Sequence, residues 1–324
     1  MNTNILKKIT NCPICLTELA NDQKFKFIES FNLENESFSL YECPICEVQF
    51  WEPFKNPGSE WYEKNSFNVQ RKRVSDETYL RWAAKYYWHT GQFLKNPPHN
   101  NPKGKKLLDI ACSTGGFILE AKKIGYDVYG VDFDSEEIKI AKSFGLDNVY
   151  TKDAVKFLTN YKNEFDVITG FEIIEHLDQP KRFLKLINEA LKEDGYLILS
   201  TPNRKRYFGR IHEFWDFPYH HLMRFSKKSL KKLVEQLNFI DVRIKEQNSM
   251  DFFVNASRIG LGKFLRKKIN KNSDEIPPGL FKDRVFKIGL VKDAFVKILV
   301  SPFVVLLYWL GLRGPDMYLV AKKK

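Results

Sequence analysis

From Lys105 to Asn203 short apolar segments alternate with amphipathic ones, and no other feature restricts the fold as much. KLLDIA is followed by a helical stretch to Lys123, DVYGVD by a helical stretch from Ser135 to Phe144, and a brief strand lies near Val149. A helix after Asp153, the strand FDVITGF, a helix from Pro180 to Leu191 and the strand GYLILSTPN complete the run. Strands separated by helices predict an α/β domain with a parallel sheet and right-handed crossovers. A helix from Ser226 to Leu237, a strand from Ile240 to Lys245 and a last strand, DMYLVAKK, extend it.

Two junctions carry chemistry. The first strand runs into LDIACSTGGF (Leu108–Phe117): Asp109, a turn of small residues (Ala111, Ser113, Gly115, Gly116), then a helix. Small residues let backbone approach a ligand closely, and a helix N-terminus favours anionic or carboxylate groups. Seventeen residues past Gly115 the second strand ends in Asp132, placed to accept hydrogen bonds from ribose hydroxyls. A nicotinamide dehydrogenase also places an acid there. Its Gly-x-Gly-x-x-Gly is absent, however, and it does not account for FEIIEHL after the fourth strand. Cys112, inside the turn, reads as a packed small residue rather than a nucleophile.

Four of the five cysteines form two Cys-Pro-Ile-Cys knuckles, Cys12 with Cys15 and Cys43 with Cys46. Two such knuckles make a tetrahedral four-sulfur site suited to Zn²⁺. With every position filled by thiolate, the expected role is structural, stapling a segment too small to fold unaided. Cysteines used for metal, and a Met1–Thr10 segment without a long apolar core, predict a cytoplasmic protein.

The 324 residues divide into a zinc-ribbon module (1–55), a helical lid or linker (56–104), the α/β domain (105–247 with 315–324) and an insertion (248–314). In the linker Tyr79, Trp82, Tyr86 and Tyr87 recur at helical spacing, which predicts core packing. The insertion is basic and amphipathic in LGKFLRKKINK and strongly apolar from Phe295 to Leu312, broken by Lys297, Ser301 and Pro302. A return to the sheet at DMYLVAKK excludes a simple membrane span. A hydrophobic surface lying against the inner face of a membrane through 261–312, or a helical pair capping the substrate, are the two expectations. The +12 net charge fits an anionic partner or a solvated lysine-rich surface.

The motifs LDIACSTGGF, VDFD, KDA, FEIIEHL and LSTPN, in that order, resemble those of class I S-adenosylmethionine-dependent methyltransferases. The resemblance is to the bacterial type 11/23-like branch with an N-terminal zinc ribbon, associated with sugars and cell-surface polysaccharides. It implies a Rossmann-like, seven-stranded, mostly parallel sheet with helices on both faces, plus the small ribbon. Ala111 and Ser113 stand where that family commonly has glycine.

In this resemblance Asp109 and the Ala111–Gly116 turn lie by the methionine part of S-adenosylmethionine. Asp132 holds the ribose, Phe133 packs on adenine, and Asp153 with Ala154 meets the adenine amino group. Glu172 lies close to the cofactor and His176 near the transferred methyl. Methyl transfer is an in-line displacement, so a base is needed only where the acceptor must lose a proton. His176, with an imidazole that ordinarily titrates near neutrality, is one candidate base, beside Glu175. The alternative is that Glu175 and His176 only cap the next turn. A second candidate is WDFPYHHLMRFS, where His220 or His221 contacts the acceptor; the alternative is that one histidine only hydrogen-bonds backbone and Ser226 merely caps the following helix.

The leading expectation is methyl transfer to a small sugar-containing or lipid-linked acceptor in cell-surface saccharide biosynthesis. An RNA methyltransferase using ribbon and basic surface is the alternative, but no arginine-rich tail supports nucleic acid as a partner. A non-enzymatic cofactor-fold scaffold is the third reading, opposed by Asp109, Asp132 and Glu172.

Overall fold

The structure, a computed structural model, describes residues 11–15, 24–33, 36–65, 75–206, 216–248, 302 and 314–324. The basic and apolar stretches of the insertion, 261–312, therefore lie outside the described residues except for Pro302.

The seven-stranded sheet has the order β10-β11-β8-β7-β4-β5-β6. Its strands are β4 (Lys106–Ile110), β5 (Asp127–Asp132), β6 (Val149–Thr151), β7 (Phe165–Phe171), β8 (Leu191–Pro202), β10 (Phe239–Glu246) and β11 (Asp316–Lys323). Pairs β5/β6, β4/β5, β4/β7 and β7/β8 are parallel, while β11 runs antiparallel to both β8 and β10. This is the expected Rossmann-like α/β architecture. The central strands are buried on both faces, which is why β7 reads as an almost unbroken apolar run.

The helices of the alternation begin on residues the sequence supplies for that purpose. The carboxylate of Asp134 accepts from the amides of Glu136 and Glu137 at the head of α5 (Ser135–Ser143). Asp153 caps α6 (Ala154–Leu158) by accepting from Lys156 N at 2.9 Å. α7 (Pro180–Ala190) opens on proline, and α8 (Lys227–Glu235) on a reciprocal Ser226–Ser229 capping box, as expected for Ser226.

The linker forms α1 (Ser59–Asn65), α2 (Glu77–Tyr86) and α3 (Trp88–Lys95). Its aromatic stripe is not core. Ala83, Ala84, Trp88 and Phe93 are buried, whereas Tyr87 is 42% exposed. Tyr79, Trp82 and Tyr86 are half-buried and lie against one another as tilted rings, with centroids 5.7 and 5.0 Å apart. The reason is close packing of α2 on α4 (Gly116–Lys123): a Cβ on Gly116 would stand 3.0 Å from the Leu80 carbonyl oxygen. Small alanines fit that interface and bulky rings do not.

The ribbon is built into the domain. β1 (Lys26–Leu33), β2 (Glu36–Glu42) and β3 (Gln49–Glu52) continue into β9 (Met223–Arg224), contributed by the segment after the fifth parallel-sheet strand. Cys12, Ile14, Val48 and Phe50 share one apolar cluster with Ile174, Phe225 and Leu230. Arg224 pairs with Glu29 at 2.8 Å and lies over the Trp51 ring, and Arg204 pairs with Glu42 at 3.0 Å. A ribbon serving only as a staple for itself does not predict this shared sheet.

Candidate functional site

A cavity of about 640 Å³ opens at the carboxyl ends of β4, β5 and β7, where an open parallel sheet ordinarily holds its ligand. Ala111, Ser113, Asp132, Phe133, Asp153, Ala154, Glu172, His176, His220 and His221 all line it. Asp109, Gly115, Gly116 and Glu175 stand behind that lining.

The cofactor-side wall is fixed largely by backbone. Ala111 (φ 60°) and Ser113 (φ 50°) adopt left-handed conformations, the reason glycine suits these positions. Gly115 (φ 82°) begins α4, and a Cβ there would stand 2.5 Å from Leu146 Cδ1. Asp132 accepts from Ser113 N at 2.9 Å through Oδ2 and from Asp134 N at 3.0 Å through Oδ1. Burial raises its pKa against the pull of these amides. Asp109 is deeper still. Burial lifts it to about 7, although Thr169 Oγ1 donates to it at 2.6 Å. Cys112 is 5% exposed and packs over Gly130, so it is a core residue as expected.

The opposite wall is a cluster of carboxylates and imidazoles. Ile174–His176 form a single 3₁₀ turn after β7, and Leu222 N donates to Glu175 O at 2.9 Å, tying the histidine loop to that turn. Glu172, itself left-handed at φ 52°, accepts from Ser200 Oγ at 2.5 Å. Burial and the neighbouring Glu175 raise its pKa well above the usual carboxylate range. Glu175 is 1% exposed and its pKa is raised, chiefly by burial; Thr201 Oγ1 donates to its Oε2 at 3.0 Å.

His176 Nδ1 contacts the His220 carbonyl oxygen. Burial, with His221 beside it, depresses the His176 pKa to about 3, and burial takes His220 to about 4. Loss of solvent around the buried rings disfavours the charged imidazolium, so the near-neutral titration expected of His176 does not hold in this environment. His221 Nδ1 lies 3.7 Å from Asp216 Oδ1, and its Nε2 lies 3.9 Å from Glu175 Oε1. Asp216 is held below the usual range despite its burial, by His221 and by the charges of Arg206 and Arg224.

Sequence reasoning missed Asn56 and Tyr62, which close the cavity from the α1 side. Asn56 Nδ2 donates to the His176 carbonyl at 3.0 Å and Tyr62 Oη to the Tyr219 carbonyl at 3.0 Å. Neither belongs to a motif; the generic aromatic content of residues 51–65 was the available signal.

Away from the cavity, Cys12 Sγ lies 3.6 Å from Cys46 Sγ, and Cys15 Sγ 3.7 Å from Cys43 Sγ. All four sulfurs lie within 4.8 Å of one another, a donor set and spacing that fit one tetrahedral Zn²⁺.

The methyltransferase-domain family matches residues 79–244, just over half of the chain. The chain belongs to this family. Among curated relatives, a ubiquinone biosynthesis O-methyltransferase of Coxiella burnetii is 37% identical over 107 residues, 32% of this chain and 45% of the relative. The protein of that name from Proteus mirabilis is 30% identical over 109 residues, 32% of this chain and 44% of the relative. The chain thus spans less than half the length of the curated relatives it matches. Phosphoethanolamine N-methyltransferase 2 of Haemonchus contortus shares the methyltransferase fold, with TM-score 0.54 and 14% identity. That match covers 91% of this chain and 71% of the other. No helix among the described residues is long and apolar enough to cross a membrane.

Proposed function

We propose that this methyltransferase-family protein transfers the methyl group of S-adenosylmethionine to an oxygen of a small, lipid-linked acceptor. One observation carries the reading: a single cavity joins an anchored ribose-type carboxylate, Asp132, to Glu172, His176, His220 and His221, with Glu175 buried behind them. The volume is in the range of small-molecule and cofactor sites, roughly 300–1,000 Å³.

Asp132 holds the ribose hydroxyls with lone pairs not used by Ser113 and Asp134. Phe133 packs on adenine, Asp153 and Ala154 meet its amino edge, and the Ala111–Gly116 turn with Asp109 receives the methionine part. S-adenosylmethionine supplies a methyl group on a positively charged sulfur, an electrophile that needs alignment more than activation. The protein's own residues then orient the acceptor: the buried carboxyl groups of Glu172 and Glu175, whose pKa values are raised, offer hydrogen-bonding oxygens beside the reacting centre, and the histidines accept from or align the acceptor's hydroxyl. Asn56 and Tyr62 limit water access. We assign the cysteine cluster to structural Zn²⁺.

The choice of oxygen and of a lipid-linked acceptor is supported by the O-methyltransferase and ubiquinone in the relatives' names. A saccharide has no counterpart in those names. Purified protein, tritiated S-adenosylmethionine and a lysate fractionated into lipid, RNA, protein and small polar molecules test the assignment. Label in the lipid extract is expected. Label in RNA would replace the acceptor class, and failure of S-adenosylmethionine to bind would overturn the activity.

A further inference from the structure

We propose that Glu175, His176 and His221 form a binding site for one divalent cation of the Mn²⁺ or Zn²⁺ type, at the acceptor end of the cavity and separate from the cysteine cluster. One ligand atom from each residue lies within 4.8 Å of the others. Glu175 Oε1 is 3.9 Å from His176 Nε2 and 3.9 Å from His221 Nε2. A cation about 2.1 Å from each donor at tetrahedral angles would hold them roughly 3.4 Å apart. The two Glu175 separations need contraction by about half an ångström, within side-chain adjustment, and the two histidine donors start within 4.8 Å of each other.

An inventory of protons makes the case stronger than distance alone. The His220 carbonyl can only accept, so His176 carries its proton on Nδ1 and presents the Nε2 lone pair. His221 turns Nδ1 toward the Asp216 carboxylate and so presents Nε2 as well. Glu175 Oε2 is satisfied by Thr201, whereas the buried Oε1 has no hydrogen-bond partner among the described residues. The Oε1 acceptor and the two Nε2 lone pairs therefore face one another, and the neighbouring Glu172 carboxyl, hydrogen-bonded to Glu175, can share one proton with it. Leaving buried acceptors unpaired is costly. One proton can bridge two of these atoms but not all three, and a cation serves all three at once.

The surroundings match. Metal-ligating histidines generally donate their other ring N–H to a carboxylate or a backbone carbonyl, and here Asp216 and the His220 carbonyl take those roles. Three protein ligands leave coordination positions open toward the cavity, onto which His176 is 28% exposed.

The role of the cation rests on the proposed function. An open position binds the acceptor's hydroxyl oxygen and lowers its pKa, so the proton leaves to solvent. An oxygen lone pair forms the C–O bond to the methyl carbon while the C–S bond breaks, its electron pair remaining on sulfur. No redox equivalent is exchanged.

The test uses the full chain with its thiolate-bound metal left in place, titrated with Mn²⁺ and followed by the electron paramagnetic resonance signal of free Mn²⁺. Mn²⁺ is chosen because thiolates favour softer ions. One Mn²⁺ per chain is expected, with affinity at least tenfold weaker in His221→Ala and in Glu175→Gln. Asp216→Asn, which leaves all three ligands in place, is expected to weaken binding about tenfold through His221. It decides the matter where the ligand variants fail to fold. Absence of Mn²⁺ binding in the wild type, with or without S-adenosylmethionine, would overturn the site, as would binding undiminished by these substitutions. S-adenosylmethionine affinity, measured on the same samples, reports separately on the proposed function: its loss with Mn²⁺ binding intact sinks that reading and leaves the cation site standing.

Discussion

The two walls of the cavity are made differently. The cofactor-side wall comes from one contiguous stretch, in which strands end in turns whose backbone amides anchor Asp132 and whose left-handed residues bring the chain close to a ligand. The opposite wall is assembled from the turn after β7, the loop before β9, the α1 segment and, through β9, the ribbon sheet. The first wall stands on local geometry, and the second depends on parts far apart in sequence. Damage to the ribbon should therefore act on one wall and spare the other.

The largest effect expected from this contrast is that of Cys43→Ser. Structural zinc in small modules contributes on the order of 10 kcal/mol of folding free energy. The variant should lose its zinc, measured by metal analysis, and its methyl transfer should fall at least a hundredfold. S-adenosylmethionine affinity should change by less than about threefold. Equal loss of both would show that the walls are not independent.

Asp132→Asn attacks the other wall. A hydrogen bond to a charged group contributes roughly 1.5–3 kcal/mol, so calorimetry should show S-adenosylmethionine binding about ten- to a hundredfold weaker, with zinc content unchanged.

The last effect is a pH dependence, confined to stability. Asp109 is raised from an ordinary value near 3.8 to about 7 when folded, so the native state holds its proton to higher pH than the unfolded chain does. Its contribution to stability is present below about 4 and is lost as pH rises toward 7. Denaturant unfolding across that range should show a shallower decline with pH in Asp109→Asn than in the wild type.

The same contrast explains what could be read from the sequence. The strand–helix alternation, the capping acids Asp134 and Asp153, and the small-residue turn are local, and local patterns survive in one dimension. The paired cysteines survive because their chemistry is so specific. By contrast, β9 has two residues, too few to show any alternation. The tautomer of His176 is set by a carbonyl forty-four residues away. Asn56 and Tyr62 reach the cavity only because α1 folds back over it. The aromatic spacing in α2 was legible as a helix but not as to which face is buried, because the partner surface around Gly116 demands small residues.

The shared strand also bears on how this protein can be rebuilt. Residues 11–55 look like a cassette that could be exchanged between related enzymes, yet β3 ends its pairing on Met223 and Arg224, immediately after the histidine loop. A chimera that replaced the ribbon would hand the edge of its new sheet to a strand evolved for another register, with Gln49 against Arg224 and Phe50 against Met223. The portable unit is the ribbon together with the loop from Asp216 to Ser226, and a graft should be cut outside both.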